Sequence, residues 1–175
     1  MRTMRVFSGN AKPGYELEQG LAWIVDGLGA GAEYAAQHGV TLALENHGLM
    51  AGRSDQVRRI IDAVGSPALR ANIDTGNFLL VNQNPTDAAR IWPTWPHWST
   101  SRISAVPGPR RDRACLQGLD GTGFTGAVVG QGEVDLPAIV EILRGGLRRL
   151  AVVGVRRRRR SADGGRARES ARLNI

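Results

Sequence analysis

The sequence predicts an α/β fold, with parallel strands joined by crossover helices, built as part of an eight-fold β/α barrel. Three observations predict it. Strand-like and helix-like segments alternate from the first residues to about residue 91, the pattern of a parallel sheet with helical connections. Glu45 and Asp74 stand at equivalent points of successive units, 29 residues apart, and an eight-fold barrel of about 250 residues uses roughly 30 per unit. Finally, "VTLALENHG" at 40–48 runs apolar to Leu44 and then stops at an acid, an amide and an imidazole in a row. Such an ending suits a barrel, where residues just past the strand C-termini form the active-site face. A doubly wound open sheet also places ligands at strand ends and is the alternative architecture.

Each element has its own justification. "MRVFSGN" is a short strand ending in turn residues. From Leu21, apolar side chains at 21, 24, 25, 28, 32, 35 and 36 fall on one helix face, and Gly39 supplies the stop. "VTLALEN" is the next strand. Ser54 is an N-cap for "DQVRRIIDAV", whose Val57, Ile60, Ile61 and Val64 make one stripe, ended by Gly65 and Pro67. "LRANIDTGN" is a further strand, and Asn84-Pro85 opens a helix at "TDAARI" with proline at its favoured first position. The run "WPTWPHWSTSRISAVPGPRR" suits neither a helix nor a barrel strand, because prolines 93 and 96 interrupt it. Order resumes at "LDGTGFTGAVVGQGEVDLPAIVEILRG", where Asp135 caps a helix striped by Leu136, Ile139, Val140 and Leu143. Residues 150–155 form one more strand-like run. The expected division is a barrel domain over 1–155 and an Arg-rich, disordered tail over 156–175.

Charge narrows the function classes. The net charge is +7, yet residues 144–175 hold eleven basic and two acidic side chains, so the rest of the chain is slightly acidic. The basic excess is an appendage and not a binding face. A nucleic-acid partner is therefore not expected, although Arg156–Arg160 keep a nucleic-acid-binding tail as an alternative. Only Lys12 is lysine and the other 22 basic residues are arginine, a bias that points to GC-rich coding more than to a DNA groove. The single cysteine, Cys115, excludes an internal disulfide and a thiolate zinc site and fits a reducing compartment. With no 18-residue apolar run and no signal-peptide core at the start, the chain is expected to be cytoplasmic, with no membrane partner.

The candidate chemistry sits at the two strand ends. Two carboxylates at the same level of neighbouring barrel strands can share a divalent metal, which takes oxygen ligands about 2.0–2.6 Å away. Either could also act as a general base. The plainer alternatives are that Asp74 starts a turn, since "DTGN" is good turn chemistry, and that Glu45 is a solvated strand end. His47 is a ligand or a substrate hydrogen-bond partner, or neither. His38, late in a helix, is a C-terminal charge with no assigned role. "GTGFTG" and "GQGEVD" do not open a helix after a strand, as a phosphate loop does. Trp92, Trp95 and Trp98 could form a base-stacking platform, but prolines interleave them and no lysine is near. Cys115 has no neighbouring histidine to activate it.

Taken together, "VFSGNAKPG", "GVTLALENHG" and "LRANIDTGNF" resemble the xylose-isomerase-like barrel family of sugar and sugar-phosphate isomerases and epimerases. "GEVDLPAIVEILRG" resembles the segment before that family's last strand. The likeness covers residues 4–91 and about 119–145. It implies a divalent metal, commonly Mn²⁺, Mg²⁺ or Co²⁺, held by Glu, Asp, His and Glu at four successive strand ends. It also implies a small sugar or sugar-phosphate substrate and proton transfer at a carbon next to a carbonyl or hydroxyl. Glu45 matches the first ligand, which also serves as acid and base, and Asp74 matches the second. Asn46, His47 and Asn77 match substrate-side polar positions. A DNA-repair endonuclease of the same superfamily would need a cluster richer in histidine than three residues supply.

The departures set a second expectation. If "MRVFSGN" is the family's fourth strand, the chain carries about the C-terminal half of the barrel. The third ligand should be a histidine near residue 103, where the sequence reads "SRISA", and the fourth a glutamate after 150–155, where arginines follow. Both losses fall in segments of foreign composition, which suggests that residues of about 92–118 and 146–175 are translated out of frame. An "HVH"-like strand and an acid-ending strand in another frame of the coding DNA would support this, and their absence would defeat it. With two of four ligands the chain is expected to bind metal weakly and to show no measurable turnover.

Overall fold

The computed structural model describes residues 2–11, 13–92, 98–100, 105–107, 116–127 and 130–144. Four strands form the main sheet: β1 (Arg2–Val6), β2 (Val40–Glu45), β3 (Leu69–Ile73) and β4 (Trp98–Thr100). They lie side by side in chain order and every pair is parallel. A doubly wound sheet reverses its order at a switch point; this sheet grows in one direction, as a barrel does, and forms a partial one. Side chains alternate across it. Val6, Leu42, Leu44, Leu69, Ala71 and Ile73 face the helices and join the core. Arg5, Ala43, Glu45, Arg70 and Asn72 take the other face, which is the lumen side.

Helix α1 (Leu17–Gln37) buries Leu28, Ala32 and Ala35. It begins a full turn before the expected Leu21, because Leu17–Gly20 extend it with residues that need no tertiary cover. Helix α2 (Ser54–Val64) buries Val57, Ile60 and Ile61 and ends at Gly65, whose φ of 64° and N–H to the Ile61 carbonyl (3.0 Å) close the last turn. Its cap differs from the expectation. Arg53 is the N-cap and Gln56 Oε1 accepts from its N–H (3.0 Å), while Ser54 is already helical. Ser54 is drawn in because Gln83 holds both its N–H (2.9 Å) and its hydroxyl (2.7 Å). The short helix α3 (Asn77–Leu80) follows the Asp74 turn, and α4 (Pro85–Ala89) is capped as expected by Asn84, whose Oδ1 accepts from Thr86 and Asp87 N–H. Complete burial of Leu44, Ile60, Leu69 and Ile73 contributes about 1.5–3 kcal/mol each.

The run after Ile91 holds more structure than its prolines allowed. β4 pairs in parallel with β3, Ala71 opposite Trp98 and Ile73 opposite Thr100. Three residues suffice because the edge of β3 supplies the template. Trp92 is fully buried in the core, so it is no stacking platform. Beyond it, β5 (Ala105–Pro107), β6 (Leu116–Gln117) and β7 (Gly123–Gly126) form a small antiparallel sheet in the order β5-β7-β6. "GTGFTG" therefore lies largely in a strand. Helix α5 (Leu136–Arg144) packs on α4 and starts where Asp135 Oδ1 accepts from Ala138 N–H (3.0 Å). No helix among the described residues is long and apolar enough to cross a membrane. His97, Cys115, the expected strand at 150–155 and the tail from 156 lie outside the described residues, as do the side chains of Trp95 and Trp98.

Candidate functional site

The mouth of the sheet is built by the ends of β1, β2 and β3. Glu45 is the last residue of β2 and Asp74 the first beyond β3. Their level differs from the expectation, since Asn72 and not Asp74 lies opposite Glu45. Asp74 stands two residues farther along, about 7 Å at the rise of a strand. The offset is a whole pleat repeat, so continuing the alternation of β3 puts Asp74 on the face that carries Asn72 and Glu45. This is the stagger a barrel imposes on neighbouring strands.

Glu45 is only 2% exposed. Its Oε2 accepts from Arg5 Nη1 (2.9 Å) and from Asn72 Nδ2 (3.0 Å), a charge-assisted pair with one solvent-facing partner. Its Oε1 takes no hydrogen bond from any described residue. The carboxylate is thus fixed at one oxygen and open at the other.

Asn46 follows it, 1% exposed, and works as a clamp. Its Nδ2 donates to the Asp74 carbonyl (2.9 Å) and its Oδ1 accepts from Asp74 N–H (2.6 Å). The Asn46 carbonyl in turn accepts from Asn77 Nδ2 (2.8 Å) at the start of α3. Two amides expected beside substrate therefore fasten the end of β2 to the end of β3. Asp74 does start a turn: Oδ1 accepts from Gly76 N–H (3.1 Å) and its carbonyl from Asn77 N–H (3.2 Å).

His47 is exposed in a tight loop that its N–H closes on the Ala51 carbonyl (3.0 Å). Gly52 makes that loop possible, because a Cβ there would strike the Gly48 carbonyl oxygen and lie 2.6 Å from Val81 Cγ1. The imidazole meets the Phe7 ring edge-on at 5.4 Å, and the Arg5 guanidinium sits 5.0 Å from the centre of the same ring. Arg5, Phe7 and His47 thus line the rim beside Glu45. His38 caps α1, its Nδ1 2.8 Å from the Tyr34 carbonyl, and precedes β2 at the end opposite this mouth.

Sequence reasoning missed Arg5, Phe7 and Asn72. Alternation within "MRVF" and "RANID" puts Arg5 with Phe7, and Asn72 with Asp74, on single faces. Only the register between strands reveals that Arg5 and Asn72 meet Glu45.

The donor chemistry of Glu45 Oε1 and Asp74 suits a hard divalent cation, which prefers oxygen. The number falls short: among the described residues no group of three His, Cys, Asp or Glu side chains converges on one point. What the arrangement offers by itself is a buried carboxylate with one open oxygen, steadied by a guanidinium and an amide, next to a second carboxylate and an exposed imidazole.

A family model described as "Xylose isomerase-like TIM barrel" matches residues 1–173, a span that includes both segments of unusual composition. Solved structures share the fold. A xylose isomerase domain protein from Planctomyces limnophilus is 21% identical with a TM-score of 0.66, covering 86% of this chain and 51% of its own. A probable 3-DHS dehydratase of petrobactin synthesis from Bacillus anthracis is 18% identical (TM-score 0.65, 86% and 56%). A 3-keto-D-glucoside 4-epimerase from E. coli is 17% identical (TM-score 0.56, 82% and 48%). The chain thus spans about half the length of these structures. No curated protein matches it significantly.

Proposed function

Because this chain belongs to the xylose isomerase-like TIM barrel family, we propose that it carries the Glu45–Asp74 half of a sugar or sugar-phosphate isomerase or epimerase site. The observation that supports this reading best is Glu45, buried at a strand end with Oε2 held by Arg5 and Asn72 and Oε1 open. Solved relatives by fold include an epimerase and a dehydratase by name, and both reactions move a proton at carbon.

In the complete site, of which this chain carries half, the Glu45 carboxylate would take the proton from the sugar carbon next to the carbonyl and return it to the sugar. Arg5 and Asn72 keep the carboxylate in one orientation, so that no rotamer search precedes the transfer. Asp74 and Glu45 are the residues that would hold a divalent ion, Mn²⁺, Mg²⁺ or Co²⁺; when bound, such an ion polarises the carbonyl and acidifies the neighbouring C–H. His47 contacts a sugar hydroxyl from the rim. Asn46 and Asn77 act on the sugar through the position they give Asp74. Residue 103 is an isoleucine within "SRISA", and arginines directly follow 150–155; without the third and fourth expected ligands at those places, this chain by itself binds without turnover.

Line broadening of ketose protons by Mn²⁺, with D-fructose and a ketose phosphate as probes, tests the reading in the full chain. The proposal expects Mn²⁺-dependent broadening that Glu45→Gln abolishes, with no change in the sugar over days. Broadening equal to free Mn²⁺, or unchanged in Glu45→Gln, contradicts it.

A further inference from the structure

The two oxygens of Glu45 are not equivalent. A carboxylate oxygen has a pair of acceptor sites, and Oε2 spends both, on Arg5 Nη1 (2.9 Å) and on Asn72 Nδ2 (3.0 Å). Each donor is itself held. Asn72 stands opposite Glu45 in the register of β2 and β3. The Arg5 guanidinium lies against the Phe7 ring, 5.0 Å from its centre, so leaving Glu45 would cost it a stacked position as well as an ion pair. The bond from Arg5 is charge-assisted and its acceptor is buried, the stronger class of hydrogen bond. Asp74 commits Oδ1 to the Gly76 N–H of its own turn (3.1 Å). An ion arriving at this mouth therefore meets Oε1 of Glu45 and not the two-oxygen bite of a carboxylate.

Divalent cations differ in what they lose by this. Ca²⁺ gathers roughly six to eight oxygens at about 2.3–2.6 Å and readily takes both oxygens of one carboxylate. Mg²⁺ binds at about 2.0–2.1 Å in an octahedron, uses one or two carboxylates and keeps several waters. Mn²⁺ accepts the same oxygen ligands in octahedral geometry. A carboxylate confined to one oxygen thus withholds more from Ca²⁺ than from Mg²⁺ or Mn²⁺. Charge has a different signature. The guanidinium repels every ion of the same charge alike, so its charge weakens all of them and leaves the ratio between two of them in place. The number of oxygens on offer is what moves the ratio.

We propose that Arg5 determines the ion specificity of this mouth: by occupying Oε2 it makes Glu45 a one-oxygen ligand, which favours Mg²⁺ and Mn²⁺ and disfavours Ca²⁺. The inference rests on Glu45 and Asp74 being ion ligands and adds which ion they select and through which residue. Arg5 acts through Glu45, and a pair that served stability alone would leave the ion preference where it is.

Electron paramagnetic resonance of free Mn²⁺ with the full chain gives the Mn²⁺ dissociation constant, and displacement by Ca²⁺ gives the second. The variants are Arg5→Met, which keeps the stem and removes every donor, Arg5→Lys, which keeps a charged donor, and Glu45→Gln. The ratio of the Ca²⁺ to the Mn²⁺ dissociation constant should fall about fivefold or more in Arg5→Met, as the second oxygen becomes available, and by less in Arg5→Lys. A measurement on the native chain needs no variant to fold: the Arg5 side-chain ¹⁵N signals should stay at their ion-paired positions as Mg²⁺ is added. An unchanged ratio in Arg5→Met, or Mg²⁺ that releases Arg5, overturns the proposal and leaves Glu45 as a ligand. Mn²⁺ binding that is absent, or that Glu45→Gln leaves intact, overturns both.

Discussion

Replacing Asn46 with alanine removes the clamp between the ends of β2 and β3. Two hydrogen bonds go, Asn46 Nδ2 to the Asp74 carbonyl and Asp74 N–H to Asn46 Oδ1, and both Asp74 backbone groups lose that partner in a residue 2% exposed. The buried Asp74 N–H is stranded at about 1–3 kcal/mol, while the Asp74 carbonyl keeps Asn77 N–H (3.2 Å) and loses about 0.5–1.5 kcal/mol. The expected loss is about 2–4 kcal/mol, a large share of the 5–15 kcal/mol typical of a domain. With an m-value near 2 kcal/mol/M, the urea midpoint should fall by about 1–2 M. Asn46→Asp keeps the acceptor for Asp74 N–H, loses the donor and brings a third carboxylate beside Glu45 and Asp74, so it should recover little of the loss. Equilibrium urea unfolding followed by circular dichroism reads all three proteins. A loss in Asn46→Ala below about 0.5 kcal/mol at equal m would show that the clamp holds nothing.

Arg5→Ala leaves the Glu45 carboxylate buried with one neutral donor. Such a charge costs about 3–5 kcal/mol when fully buried, and with Arg5 47% exposed the loss by urea unfolding should be nearer 1–3; Arg5→Lys should regain part of it. Gly52→Ala forces a Cβ onto the Gly48 carbonyl and Val81, and should lower stability by about 1–3 kcal/mol and shift the His47 ring signals in NMR spectra. Glu18 is pulled below the usual carboxylate range by its hydrogen bonds to Arg59 (3.0 and 2.7 Å) and then by the charge itself. A depressed folded-state pKa stabilises above the unfolded value and loses that contribution as pH falls through the folded one. The ¹³C titration of the Glu18 carboxyl should move back towards its ordinary midpoint in Arg59→Gln, and by less in high salt, where so exposed a pair is already screened.

Much of the fold was legible because strands β2 and β3 are buried on both faces, which leaves continuous apolar runs that end abruptly in "ENH" and "DTGN". The stripes of α1 and α2 were equally plain, and Gly39 and Gly65 marked their ends. β4 was not legible: a three-residue strand behind two prolines has no pattern of its own and exists through its register with Ala71, Asn72 and Ile73. Within the site, the types and order of Glu45, Asn46, His47 and Asp74 could be read. Their partners could not, because Arg5 and Asn72 lie 40 and 27 residues from Glu45 and meet it only through pairing. The offset between Glu45 and Asp74 is likewise a property of the ladder and not of either strand.

The central claim is that Glu45 and Asp74 open into one mouth as an incomplete pair of cation ligands. Titration of the full chain with Mn²⁺, followed by the electron paramagnetic resonance of the free ion, tests it most directly. The account predicts a dissociation constant on the order of a millimolar or weaker, weakened further in both Glu45→Gln and Asp74→Asn. Micromolar binding that Glu45→Gln abolishes would mean the site is complete, and binding indifferent to both substitutions would mean these carboxylates hold no ion; either contradicts it.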